Sequence, residues 1–132
     1  MEKKKKLPPD GPRQYVTCTV SLLEHDGIVI HVLNFSNDPQ TVRVKIYKNT
    51  GAGAQQVCDS NDTPVTPTWQ WGLAYNVVEG ESGEFWVQIE LSSETLIPKV
   101  SFERFVDSRW LPVVNYKPGD FAVFDAQQRR IR

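Results

Sequence analysis

The chain has 132 residues, 39% of them hydrophobic and 23% charged, with a formal net charge of -1. That length suits one domain able to bury roughly two thirds of its unfolded surface, and the composition excludes a disordered chain. No apolar run approaches the ~18 residues that a membrane-spanning helix needs, so no span is expected.

The small net charge hides an asymmetry. Residues 1 to 13 carry five basic and two acidic groups and residues 126 to 132 three basic groups, leaving seven basic against fourteen acidic between Gln14 and Asp125. This predicts a flexible basic arm over residues 1–13, an acidic folded domain over 14–125 and a basic tail over 126–132. The tails could make weak contacts with a polyanion, phosphate or nucleic acid. The plainer reading is solvated, disordered ends, because the acidic body repels what the tails attract. The start, MEKKKKLPPDGP, has the basic n-region of a signal peptide without an apolar h-region, so a cytoplasmic location is expected. Cys18 and Cys58 form no CxxC and suit small buried hydrophobes in a reducing compartment, with a disulfide as the alternative. His25 and His31 lack metal-ligand spacing, and no metal or cofactor is expected.

Taken in order, Tyr15 to Leu23 alternates Val16, Cys18, Val20 and Leu22 with Thr17, Thr19 and Ser21, which predicts one half-buried strand. Asp26-Gly27 is a hairpin-turn pair. Ile28 to Phe35 is apolar on both phases, as in a strand covered on both sides, and His31 within it reads as a core or interface residue. Ser36 to Pro39 is turn chemistry. Thr41 to Lys48 then sets Val42, Val44 and Ile46 against Arg43, Lys45 and Tyr47, a strand with one wet face.

Asn49 to Ala54 lacks the spacing and lysine of a phosphate loop and reads as a hairpin loop. Gln55 to Asp59 is a short strand candidate, and Ser60 to Thr68 a polar loop with two prolines. Trp69 and Trp71 share a phase with Leu73, Tyr75 and Val77. Glu79, Glu81 and Glu84 cluster in one turn, which suits a solvated loop better than a cation site. Phe85, Val87, Ile89 and Leu91 give the clearest period-two row, and Val100 and Phe102 continue it past Pro98, so this pair of strands is either a hairpin or a sheet crossover. Asp107 to Arg109 is a turn, Trp110 to Tyr116 a strand that Pro112 pushes towards an edge, and Phe121 to Phe124 the last strand.

Strands at intervals of about ten residues with almost no helix describe an all-β, single-domain sandwich of seven to nine mostly antiparallel strands, jelly-roll or Greek-key-like. Its expected core is Val16, Val20, Ile30, Val44, Ile46, Phe85, Val87, Ile89, Val100 and Phe102.

No nucleophile with a base, acidic pair or metal cluster is visible, so no enzymatic activity is expected. Four tryptophans in a small domain are the unusual feature. Trp69, Trp71 and Tyr75 would form a ligand platform for sugars or bases if exposed, or plug the sandwich if buried, and the shared phase with Leu73 and Val77 favours the plug.

The stretches VLNFSNDPQTVRVKIY and FWVQIELSSETLIPKVSFERFVDSRW, covering roughly residues 28 to 48 and 85 to 110, resemble the sensory rhodopsin transducer family. That resemblance implies a sandwich that forms a symmetric homo-oligomer and serves as a signalling or small-ligand-binding partner, with sugar-like ligands among the candidates. The positions nearest its pattern are Asp107, Ser108 and Arg109. The expected function is therefore a non-catalytic, homo-oligomeric binding or assembly module, with a carbohydrate-binding module using Trp69, Trp71 and Tyr75 as the alternative. The surplus apolar surface of Ile28 to Phe35 supports self-association.

Overall fold

The computed structural model describes residues 11–132. The lysines Lys3 to Lys6, with most of the expected basic arm, lie outside the described residues. Eleven strands run β1 (Arg13–Val16), β2 (Val20–Leu22), β3 (Gly27–Asn34), β4 (Gln40–Thr50), β5 (Gly53–Asp59), β6 (Thr63–Val65), β7 (Gln70–Asn76), β8 (Gly83–Leu91), β9 (Leu96–Val106), β10 (Arg109–Tyr116) and β11 (Ala122–Phe124). They form two antiparallel sheets, an all-β sandwich. One sheet has the order β11-β1-β8-β4-β5, with β2 beside β8 and β6 beside β4; the other has the order β10-β9-β3-β7. The only helix among the described residues is a single 3₁₀ turn at Pro118–Asp120.

Period-two patterning sets the packing. On β8 the side chains of Phe85, Val87 and Ile89 are fully buried, facing inward with Val42, Val44 and Ile46 of β4. From the other sheet Ile28, Ile30 and Val32 of β3 and Val100 and Phe102 of β9 close on them. Each such side chain contributes about 1.5–3 kcal/mol by leaving water. Nine of the ten expected core residues are buried. The step from β8 to β9 is a crossover between the sheets, not a hairpin.

Val16 and Cys18 are the corrections. The expected single strand is broken: Val16 pairs with Gln88 but Val20 pairs with Phe85, so one extra residue is accommodated on the β1–β2 side. Such an insertion flips the facing of every residue beyond it. Tyr15 and Thr17 therefore point inward before the break and Val20 and Leu22 after it, leaving Val16 half-buried and Cys18 exposed. The buried Thr17 hydroxyl accepts a bond from the Val87 N–H at 3.0 Å, which removes the cost of hiding it.

Asp26-Gly27 does not make a hairpin either. The turn lies one step earlier, with Asp26 N–H bonded to Leu23 C=O and His25 at φ 69°, and it carries the chain from β2 in one sheet to β3 in the other. Asp26 is buried, accepts the Leu23 N–H at 2.7 Å and receives Arg104 Nε and Nη2 at 3.1 and 2.9 Å. Burial alone would push this carboxyl up, but the Arg104 and Leu23 hydrogen bonds outweigh it and hold it below the usual range. At the other end of β3 the buried Asn34 amide donates to Asp38 C=O and Val65 C=O and accepts the Ser36 N–H, tying the turn to β6. That short strand was expected to be loop.

The C-terminal tail is also ordered, against the expectation of a disordered end. Asp125 accepts the N–H groups of Gln127 and Arg129 and pairs with the Arg129 guanidinium at 3.0 Å. Beyond it Ile131 N–H bonds Val123 C=O, and Arg132 lies over the Tyr15 ring.

Ile89→Ala is expected to cost about 2–5 kcal/mol, read from the urea midpoint; an unchanged midpoint would remove Ile89 from the core. The Asp26–Arg104 pair gives a signed pH dependence. Because the folded Asp26 carboxyl sits below its ordinary pKa, the pair stabilises above that ordinary value and its contribution is lost as pH falls through the folded pKa. Arg104→Met should lower the urea midpoint near neutrality, the part-exposed guanidinium limiting the loss. The gap from wild type should shrink steadily as urea titrations move into acid.

Candidate functional site

The two outer faces of the sandwich differ in chemistry. On the seven-stranded sheet, Arg43 grips Asp59 through two bonds of 3.0 and 2.7 Å, and Lys45 meets Glu90 at 3.4 Å. The Arg43 hydrogen bond, backed by the Asn61 N–H, holds the Asp59 carboxyl down to about 2. Tyr47 and Trp86 stack with ring centroids 4.3 Å apart, and Trp86 Nε1 donates to Asn49 Oδ1. This face satisfies its own groups.

The outer face of the four-stranded sheet is built differently: the one side-chain bond seen on it among the described residues runs from Ser101 Oγ to Glu103 Oε2 at 3.0 Å. None of the ion pairs seen among the described residues lies on it. Its rows are Val29, His31 and Leu33 of β3, Lys99, Ser101 and Glu103 of β9, Trp110 and Pro112 of β10, and Gly72, Ala74 and Asn76 of β7. Phe105, Trp110 and Val113 are exposed at one end, and Phe35 and Ile97 at the other. This is the second apolar phase of β3: one phase fills the core, the other meets solvent.

Small residues shape the face. A Cβ at Gly27 would meet the Trp110 ring at 3.2 Å, and one at Gly72 would meet His31 Cδ2 at 3.3 Å, so the two rings lie against bare backbone. Between them runs a trough of two adjoining hollows. One, about 240 Å³, is lined by Gly27, Val29, Ala74, Asn76, Glu103 and Trp110; the other, about 220 Å³, by Val29, His31, Lys99, Ser101, Glu103, Pro112 and Asn115. Trp110 supplies an aromatic wall and Glu103, Asn76, Lys99 and Asn115 supply polar groups. An aromatic plane beside donors and acceptors over an apolar floor suits a small polar molecule with one apolar side.

The residues singled out in the sequence are not gathered here. Trp69 is 67% exposed, while Trp71 and Tyr75, with Leu73, pack against the core along the inward phase of β7. Tyr75 donates to Glu81 at 3.2 Å, and burial followed by the Glu81 charge pushes its phenol up to about 12. Asp107 and Arg109 are exposed at the tip of the β9–β10 hairpin, where Asp107 and Ser108 take φ of 51° and 64°, the two positive values of a type I′ turn. Strand register puts Trp69 beside the Asn34 end of β3 and this tip beyond the Gly27 end. Trp110, Gly27 and Gly72 were missed; glycines inside strands were the available signal. Among the described residues no three His, Cys, Asp or Glu groups gather as a metal would require, and no helix is long and apolar enough to cross a membrane.

No protein-family model and no curated protein matches the chain. Among solved structures, the crystal structure of Thermotoga maritima 1070 is similar, with a TM-score of 0.56 and 8% identity over 81% of this chain and 95% of that one. At that identity the likeness is one of fold.

Iodide quenching tests the tryptophan placement. Trp69→Phe and Trp110→Phe together should remove most of the quenchable, red-shifted emission, leaving a blue-shifted, resistant remainder from Trp71 and Trp86. Undiminished quenching of the double variant would show that the exposure is assigned to the wrong rings.

Proposed function

We propose that this protein is a non-catalytic, homo-oligomeric binding module that takes a small sugar-like ligand on the outer face of its four-stranded sheet. One observation carries the reading: the trough floored by Val29, walled by Trp110 and rimmed by Glu103, Asn76 and Lys99, on the face where no ion pair is seen among the described residues. Sugar rings present C–H groups to an aromatic plane and hydroxyls to carboxylates and amides, and this trough offers both. The site moves from the Trp69, Trp71 and Tyr75 platform to Trp110, because Trp71 and Tyr75 face the core. The resemblance of residues 28–48 and 85–110 to the sensory rhodopsin transducer family points towards an oligomeric signalling role. Two free thiols, one exposed, suit a reducing cytoplasm.

A glycan array followed by calorimetry tests the ligand. For a sugar that binds, Trp110→Ala should weaken affinity about tenfold or more, ~1.4 kcal/mol, while Trp69→Ala leaves it unchanged. Failure of every glycan to bind, or equal losses from both variants, would overturn this site.

A further inference from the structure

Sheet edges in soluble proteins are guarded by charge, proline, bulges or a covering segment, because an open edge pairs with another chain. Three of the four strands that end the two sheet orders are guarded, and β2 and β6, which lie off those orders, are only three residues long. β10 carries Pro112 with a bulge beside it, β5 has a register break against β4 and ends in Asp59, and the three-residue β11 is covered by the returning segment at Ile131 and Arg132. The fourth, β7, is not. Its sequence QWGLAYN has no charge and no proline, and its pairing with β3 is continuous.

The ladder shows which backbone groups are open. Asn34 N–H donates to Trp69 C=O at 3.0 Å, and Val77 N–H donates to Asp26 C=O at 2.8 Å. In an antiparallel ladder bonded and non-bonded pairs alternate, so the odd-numbered residues of β7 exchange bonds with β3. Gln70, Gly72, Ala74 and Asn76 therefore turn their N–H and C=O groups outward.

We propose that two copies of this chain join through β7, antiparallel and centred on Leu73, so that the two four-stranded sheets continue as one. This rests on the homo-oligomeric part of the function proposed above and names its interface. In that register Gly72 faces the partner's Ala74 and Gln70 the partner's Asn76, so all four outward-turned residues bond. Trp71 meets the partner's Tyr75 in the non-bonded pairing, where Cα atoms stand closest, at about 4.5 Å, and aromatic pairs stabilise most. Leu73 meets its own copy on the axis. The half-buried Trp71, Leu73 and Tyr75 thus gain the cover that one subunit does not give them. A second copy fits because no position in β7 carries a charge, so self-apposition brings no like charges together.

Charge exchange tests both the edge and the register, with light scattering of the full chain as the readout. Gln70 and Asn76 are exposed, so neither change disturbs the core. The pair Gln70→Lys with Asn76→Lys places like charges opposite each other and should give subunits half the wild-type size or smaller assemblies. The pair Gln70→Lys with Asn76→Glu places opposite charges there and should restore the wild-type size. Ala74→Pro, which removes only an outward N–H, should also dissociate it. A monomeric wild type would overturn both this interface and the homo-oligomeric reading, leaving the ligand to calorimetry. A wild-type oligomer that survives both the double-lysine and the proline changes would overturn the β7 interface alone. Dissociation without rescue by the lysine–glutamate pair would overturn the register.

Discussion

The row Phe85, Val87, Ile89 and Leu91 on β8 is what both sheets close upon. β8 pairs with β4 on one side and with β1 and then β2 on the other, so its spacing dictates the facing of three neighbours. Where a neighbour cannot keep that spacing, it yields: the extra residue between Val16 and Val20 lets Tyr15 and Leu22 both reach the core although they lie on opposite phases of the sequence. The Thr17 hydroxyl then does the hydrogen bonding that the interrupted ladder leaves undone.

Rows with one wet face were legible because their polar partners are unambiguous. β4 and β8 alternate cleanly, and Pro112 marked an edge strand by the donor it lacks. The interrupted strand was not legible, since Val-Thr-Cys-Thr-Val alternates perfectly and the bulge is imposed from β8, a distant part of the chain. Asp26 looked like a turn residue because its partner, Arg104, lies far along the sequence. The tail read as disordered for a similar reason: its order comes from Asp125, whose side chain and backbone it folds around. Short polar strands such as β6 carry no apolar row and depend on the Asn34 amide.

The candidate site was only partly legible. The two apolar phases of β3 announced a second surface, but the tryptophans nearest in sequence to one another were not the ones that share it. Trp110 joins Val29 only because β10 pairs with β9 and β9 with β3. Phase within β7 settled the rest, since Trp71 and Tyr75 alternate with the small residues that open the outer face.

β1 has further significance. Its partners are β8 and β11, which begin at Gly83 and Ala122, so β1 meets both only across long stretches of sequence. Pairings so distant in sequence must overcome loop-closure entropy before they reward it, which makes such a topology slow to fold. On the ribosome β1 waits for β8 and then β11 to emerge, whereas the β4–β5 and β9–β10 hairpins form from neighbours. Newly made chains would therefore pass through a stage with the β4–β5 hairpin formed and β1 still unclaimed.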